Sequence, residues 1–145
     1  MKEIYGNRGI EYLIFKYRLN IYAEHFHRIE HNLLGISGAK VTDIKNVLSH
    51  AQGLSQCSDY IKKNNLIENV RADTAGSAKF ISENNKLSDA AIASKLSAKI
   101  YKLDVIESNI ENEKGNTTRF LIMGKSINQP ELKKKKYITS FLFKL

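Results

Sequence analysis

The stretch Ile44-Lys45-Asn46-Val47-Leu48-Ser49-His50-Ala51-Gln52-Gly53-Leu54-Ser55-Gln56-Cys57 decides the fold. Its first part, Ile44 to Leu48, reads as a short strand and ends at Ser49-His50. From Ala51 the spacing changes. Ala51, Leu54, Cys57 and Ile61 fall three or four residues apart, the repeat of one helix face, and Asn64-Asn65 closes the run. A strand that hands over directly to a helix is the building unit of an α/β sheet.

The same alternation continues outward in both directions. Toward the N-terminus, Leu19 to Leu34 is rich in strand formers and predicts one or two strands, with a loop at Gly35 and Gly38. Before it, Gly6-Asn7-Arg8-Gly9 predicts a turn, followed by an apolar stretch of helical or mixed character from Ile10 to Phe15. Toward the C-terminus, Val70-Arg71-Ala72 is a candidate strand. A second helix follows, with Thr74 as its N-cap and Ala75, Ala78 and Ile81 on its inner face. Ala90 to Ala93 reads as a buried strand, and a third helix aligns Leu96, Ile100 and Leu103 along one stripe. Asp104-Val105-Ile106 and Thr118 to Met123 complete the strands. The fold class is α/β, a parallel or mixed sheet with helices on its faces.

Bulk properties narrow the function classes. A chain of 145 residues is one domain's worth, and 42% hydrophobic with 26% charged residues is a globular composition. No apolar run reaches the length of a membrane span and no signal-peptide layout opens the chain, so a soluble, membrane-free protein is expected. The single cysteine, Cys57, excludes an internal disulfide and any multi-thiolate metal site, and a reducing cytoplasm is the natural setting. Cys57 falls on the apolar helix face with no base beside it, as a core thiol does. The net charge of +8 comes from scattered lysines. The exception is Lys133-Lys134-Lys135-Lys136, beside the only proline, Pro130, which reads as a solvated connector. No nucleic acid is expected as a partner; a basic surface also steers small di-acids.

Polar residues at element junctions carry the chemistry. Ser49-His50 and Asp73-Thr74 each end a strand and begin a helix, where free backbone amides and a hydroxyl can seat a carboxylate or simply cap the helix. Asn116-Thr117-Thr118-Arg119-Phe120 leads into the apolar run Phe120-Leu121-Ile122-Met123. Arg119 can pair with a ligand carboxylate or with an acidic neighbour, and Phe120 can face a ring or fill the core. His25, His27 and His31 mix strand and helix spacings and do not form a metal-ligand pattern. Glu107, Glu111 and Glu113 read as a solvated acidic loop. The glycines around Gly6 lack the preceding strand of a nucleotide loop. Neither metal nor cofactor is expected.

The segments Ser49 to Cys57, Asp73 to Ala78, Ala90 to Ser94, Tyr101 to Ile106 and Asn116 to Phe120, in this order, resemble prephenate dehydratase over roughly residues 19 to 125. That resemblance implies the decarboxylating dehydration of prephenate to phenylpyruvate in phenylalanine biosynthesis, a carbon–oxygen lyase reaction without a cofactor. It implies Thr118 as the catalytic residue, acting on the departing hydroxyl. It implies Ser49, His50, Gln56, Thr74, Ala75, Gly76, Arg119 and Phe120 as the substrate-binding set. The implied fold is a periplasmic-binding-protein-like lobe with a mixed sheet flanked by helices and an incomplete first lobe. The expected division is a poorly matching end of the first lobe over 1–18, the dehydratase-like domain over 19–125, and a basic linker over 126–145. That last segment would hold the first strand of an ACT domain, Thr139-Ser140-Phe141-Leu142-Phe143. The family's Glu-Asn-Ser and Glu-Ser-Arg-Pro motifs have no counterpart in the sequence. The expected partners are prephenate and either further copies of the chain or a separate chain supplying the first lobe. The alternative is an inactive remnant that at most binds a small carboxylic acid.

Overall fold

The structure, a computed structural model, describes residues 10–125. The turn at Gly6-Asn7-Arg8-Gly9, the lysine block, Pro130 and the Thr139–Phe143 strand lie outside the described residues. The chain divides into two compact units, one holding Arg28–Thr118 and the other the residues up to His27 and from Arg119 onward.

The smaller unit contains helix α1 (Ile10–Tyr17) and a two-stranded sheet. Its strands are β1 (Asn20–Arg28) and β7 (Thr117–Gly124), whose last and first residues respectively belong to the larger unit. Arg119 is anchored here: its Nε donates to Glu24 Oε2 at 2.6 Å, and its guanidinium lies 5.9 Å from the Phe26 ring. Of the two fates left open for Arg119, the ion pair with an acidic neighbour is the one present. Phe120 is 52% exposed and belongs to no core cluster.

The larger unit is built on a five-stranded sheet in the order β4-β3-β5-β2-β6. These strands are β2 (Asn32–Gly35), β3 (Asn46–Ser49), β4 (Ile67–Val70), β5 (Asp89–Ala93) and β6 (Asp104–Glu107). β3 runs parallel to β4 and β5, whereas β2 runs antiparallel to β5 and β6, so the sheet is mixed. Side chains alternate across a pleated strand, and the alternation sorts the core into two layers. Leu33, Val47, Ala90 and Ile92 pack with Leu54, Cys57 and Ile61 of the first helical segment. Leu34, Leu48, Ala91 and Ala93 pack on the opposite face with Ala78, Ile81, Ala98 and Leu103. Each face is thereby covered by its own helices, the expected arrangement for strands apolar on both sides.

Several sequence expectations shift in position. The run from Ala51 to Ile61 is two short helices, α2 (Ala51–Gln56) and α3 (Ser58–Lys63), broken at Cys57, whose φ of −116° and ψ of 17° leave the helical region. β4 ends at Val70 instead of reaching Ala72, and all four of its residues are exposed. It is an edge strand without inward-facing alternation, so the sequence pattern carried no clear boundary there. Helix α4 (Thr74–Asn84) is capped by Asp73, not by Thr74: the Asp73 carboxylate accepts from the Gly76 amide at 2.5 Å. With that start, Ser77, Ala78 and Ile81 face inward and Ala75 is exposed. Helix α5 (Lys95–Tyr101) buries Ser97 and Ala98, while Leu96 and Ile100 are 65% and 60% exposed. Ala98 belongs to the core layer that also holds Ala78, Ala91 and Ala93, and Tyr101 packs against that layer.

Candidate active site

A cavity of about 350 Å³ opens at the carboxyl ends of the parallel strands β3 and β4, beside the first residues of α2 and α4. Ligands of open α/β sheets gather at this end because helix N-termini and loop side chains converge there. Its walls are Ile29, His31, His50, Gln52, Gly53, Gln56, Ala72, Asp73, Thr74, Asn116 and Thr118, all in the larger unit. Of the residues singled out by the sequence, His50, Gln56, Thr74 and Thr118 therefore share one cavity.

Each is held differently. His50 is the N-cap of α2, its Nδ1 accepting from the Gln52 amide at 3.3 Å. Thr74 is half-buried in the first turn of α4, on the side of that helix shared by Ser77 and Ala78. Gln56 ends α2, and its side-chain oxygen lies 2.7 Å from His31 Nε2. Thr118 is exposed at the start of β7, beside Asn116, whose carbonyl accepts from the Ile29 amide at 2.9 Å.

The others are placed elsewhere. Ser49 is fully buried, donating to the Ile92 carbonyl at 2.7 Å, and is absent from the cavity wall. Ala75 is exposed outside the cavity wall, and the Gly76 amide is already taken by Asp73. Arg119 and Phe120 belong to the smaller unit, as described.

Sequence reasoning passed over two residues. His31 is 7% exposed; its backbone amide donates to Glu111 Oε2 at 3.1 Å, and its carbonyl accepts from Ile110 at 2.9 Å. Glu111, read as part of a solvated loop, is 8% exposed, and its Oε1 is buried with no hydrogen-bond partner among the described residues. Glu111 also lines a second, smaller cavity of about 230 Å³ with Ser55, Gln56, Asn112, Glu113 and Asn116. Gln56 and Asn116 are common to both cavities. The signal that would have found His31 is its position at the end of Leu19–Leu34, immediately before a buried strand.

Cys57 is fully buried, and that burial, with the Glu111 charge as a lesser cause, pushes its thiol up from 9.0 to about 12. It is a core residue with no thiolate at neutral pH. Among the described residues no three His, Cys, Asp or Glu side chains are grouped to hold a metal ion. No helix among them is long and apolar enough to cross a membrane.

A polar crevice at the strand ends of a mixed α/β lobe lies where ligands of such folds gather. The comparisons with known proteins are more specific. The family described as prephenate dehydratase matches residues 7–128. The chain is 42% identical over 135 residues to arogenate dehydratase/prephenate dehydratase 1, chloroplastic, of Arabidopsis thaliana, covering 92% of this chain and 34% of that protein. It is 39% identical over 117 residues to prephenate dehydratase of Methanocaldococcus jannaschii, covering 81% of this chain and 42% of that one. Among solved structures, prephenate dehydratase of Arthrobacter aurescens in complex with L-Phe superposes with a TM-score of 0.70 at 27% identity, over 78% of this chain and 38% of that chain. The chain belongs to the prephenate dehydratase family, a family of lyases. It spans between about a third and two fifths of the length of these relatives.

Proposed function

We propose that the chain carries the decarboxylating dehydration of prephenate to phenylpyruvate, with Thr118 acting on the departing hydroxyl. The observation that carries the reading is the convergence of Thr118, Gln56, His50 and Thr74 on one cavity. Its volume, about 350 Å³, lies in the range of about 300–1,000 Å³ typical of small-molecule sites.

The chemistry asks little of the protein. The bond from the ring to its carboxylate breaks, its electron pair moves through the ring, and the opposite carbon–oxygen bond breaks, releasing carbon dioxide and hydroxide. The gain of aromaticity makes the step steeply downhill. What remains is to hold the ring and stabilise the leaving oxygen as charge develops on it, which a hydroxyl donor does by hydrogen bonding. Thr118 supplies that hydroxyl; the proton that turns hydroxide into water comes from solvent. The Gln56 carboxamide and the Thr74 hydroxyl donate to the substrate's carboxylates.

A second reading is binding of a small carboxylic acid without turnover. It is favoured by the exposure of Thr118 at the start of β7, where water can dilute the stabilisation of a leaving oxygen. One assay separates the two. The purified chain is incubated with prephenate at neutral pH, and phenylpyruvate is followed by its absorbance in alkali against a protein-free control. Turnover is expected, with Thr118→Ala lowering it by about 10²–10³-fold, the usual cost of a donor to a developing oxyanion. Equal turnover in Thr118→Ala removes Thr118 from the mechanism. Prephenate that raises Tm without being converted supports the second reading.

A further inference from the structure

The carboxamide of Gln56 has two ends of nearly equal size and opposite chemistry: the oxygen accepts hydrogen bonds and the NH2 donates them. Only a neighbour can decide which end meets the cavity. That neighbour is the His31 ring, whose Nε2 lies 2.7 Å from Gln56 Oε1. We propose that His31 is a positioning residue, its protonated Nε2 holding the Gln56 oxygen inward so that the NH2 is presented to the cavity as a donor. The proposal rests on the reading of Gln56 as a donor to an anionic substrate.

The surroundings of His31 suit this task. His31 as a residue is buried, at 7% exposure, although it borders the cavity, so its hydrogen bond is little diluted by water. Its main chain is fixed on both sides, the amide by Glu111 and the carbonyl by Ile110. The Asn112 amide, next in line, donates to the Gln56 carbonyl at 2.8 Å. The 110–112 segment thus clamps the backbone of both partners, and the ring and the carboxamide meet at a set distance. A Gln56 turned the other way would offer its oxygen to a cavity that already holds the Asp73 carboxylate, and an anion would meet two acceptors. Direct contact of His31 with the reacting atoms is not required.

The tautomer of His31 tests the proposal without any substrate. In the full chain labelled with 15N at histidine, nitrogen shifts are expected to report a proton on His31 Nε2. A bare Nε2 with the proton on Nδ1 overturns the proposal, because that Nε2 must then accept from the Gln56 NH2. A second measurement reads the coupling through prephenate affinity. His31→Leu and Gln56→Ala are each expected to weaken binding by about tenfold, the worth of one hydrogen bond to a charged group. The double variant is expected to bind no more weakly than Gln56→Ala alone, and His31→Gln, which keeps a donor near the lost Nε2, to recover part of the affinity. Additive losses, or a His31→Gln as weak as His31→Leu, overturn it. A wild-type chain that does not bind prephenate refutes the proposed function, while the tautomer result still decides the role of His31.

Discussion

Ser49 stands at a strand end where a hydroxyl is well placed for a ligand, yet it works inward. Its hydrogen bond to Ile92 ties β3 to β5, and Gly53 one helical turn on passes so close that a Cβ would lie 2.8 Å from the hydroxyl oxygen. Glycine is therefore required there by the serine. Ser49→Ala is expected to cost about 1–2 kcal/mol, leaving a buried carbonyl short of a donor. Gly53→Ala in the wild type is expected to destabilise despite a gain in helix propensity of up to about 1 kcal/mol, because the crowding of a packed site outweighs it. In the Ser49→Ala background the same change is expected to stabilise; urea unfolding of the four variants checks the reversal of sign. The places of His50 and Thr74 in the crevice were legible because polar groups at strand–helix junctions face it by topology, whereas Gln56, at the end of α2, and Thr118, at the start of β7, were singled out through the family resemblance. His31 and Glu111 were not legible. His31 stood in a histidine run whose other members, His25 and His27, belong to the smaller unit. The burial of Glu111 comes from a contact with residue 31, far away in sequence.

At the scale of elements, α5 shows how size can mislead. Leu96 and Ile100 are its largest apolar residues, and their spacing of four defines a stripe that the fold leaves facing out. The buried face is Ser97 and Ala98, and the start is fixed by Ser94, whose hydroxyl accepts from the Ser97 amide at 3.2 Å. The cap sets the phase of the helix, so that Ser97 and Ala98 turn inward and Tyr101 is partly buried against the same layer. Leu96→Gln with Ile100→Gln is expected to change stability by no more than about 1 kcal/mol in total, as exposed substitutions do. Ala98→Leu is expected to cost about 1–3 kcal/mol through overpacking. Thermal unfolding distinguishes the two, and the reverse ranking would mean that the large residues pack after all. By contrast, Ala90 to Ala93 was readable because a continuous apolar run has no wrong face to choose.

For the larger unit as a whole, the alternation of Leu33 with Leu34, Val47 with Leu48 and Ala90 with Ala91 divides one sheet into two dry layers, and Cys57 lies fully inside the first. Its thiol, held up to about 12 when folded and near its usual 9.0 when unfolded, binds its proton more tightly in the native state. Stability from this group is intact below about pH 9 and falls as pH rises from there to about 12. Tyr60, also raised by burial and then by the Glu107 charge, acts in the same direction. Wild type is expected to lose Tm faster than Cys57→Ala between pH 9 and 11, and the native thiol to resist alkylation at pH 8. Parallel pH profiles of the two proteins would contradict the burial argument. The mixed sheet also has a consequence in time. β2 pairs Leu33 with Ile92 on one side and with Glu107 on the other, so the first strand of the larger unit waits, during synthesis, for the last ones before either edge is filled. β3 and β4, with the helices between them, can meet early; the closing of the sheet around β2 spans most of the unit. Such long-range pairing is slow, and a nascent chain halted before Asp104 would hold an apolar strand with no partner on one flank.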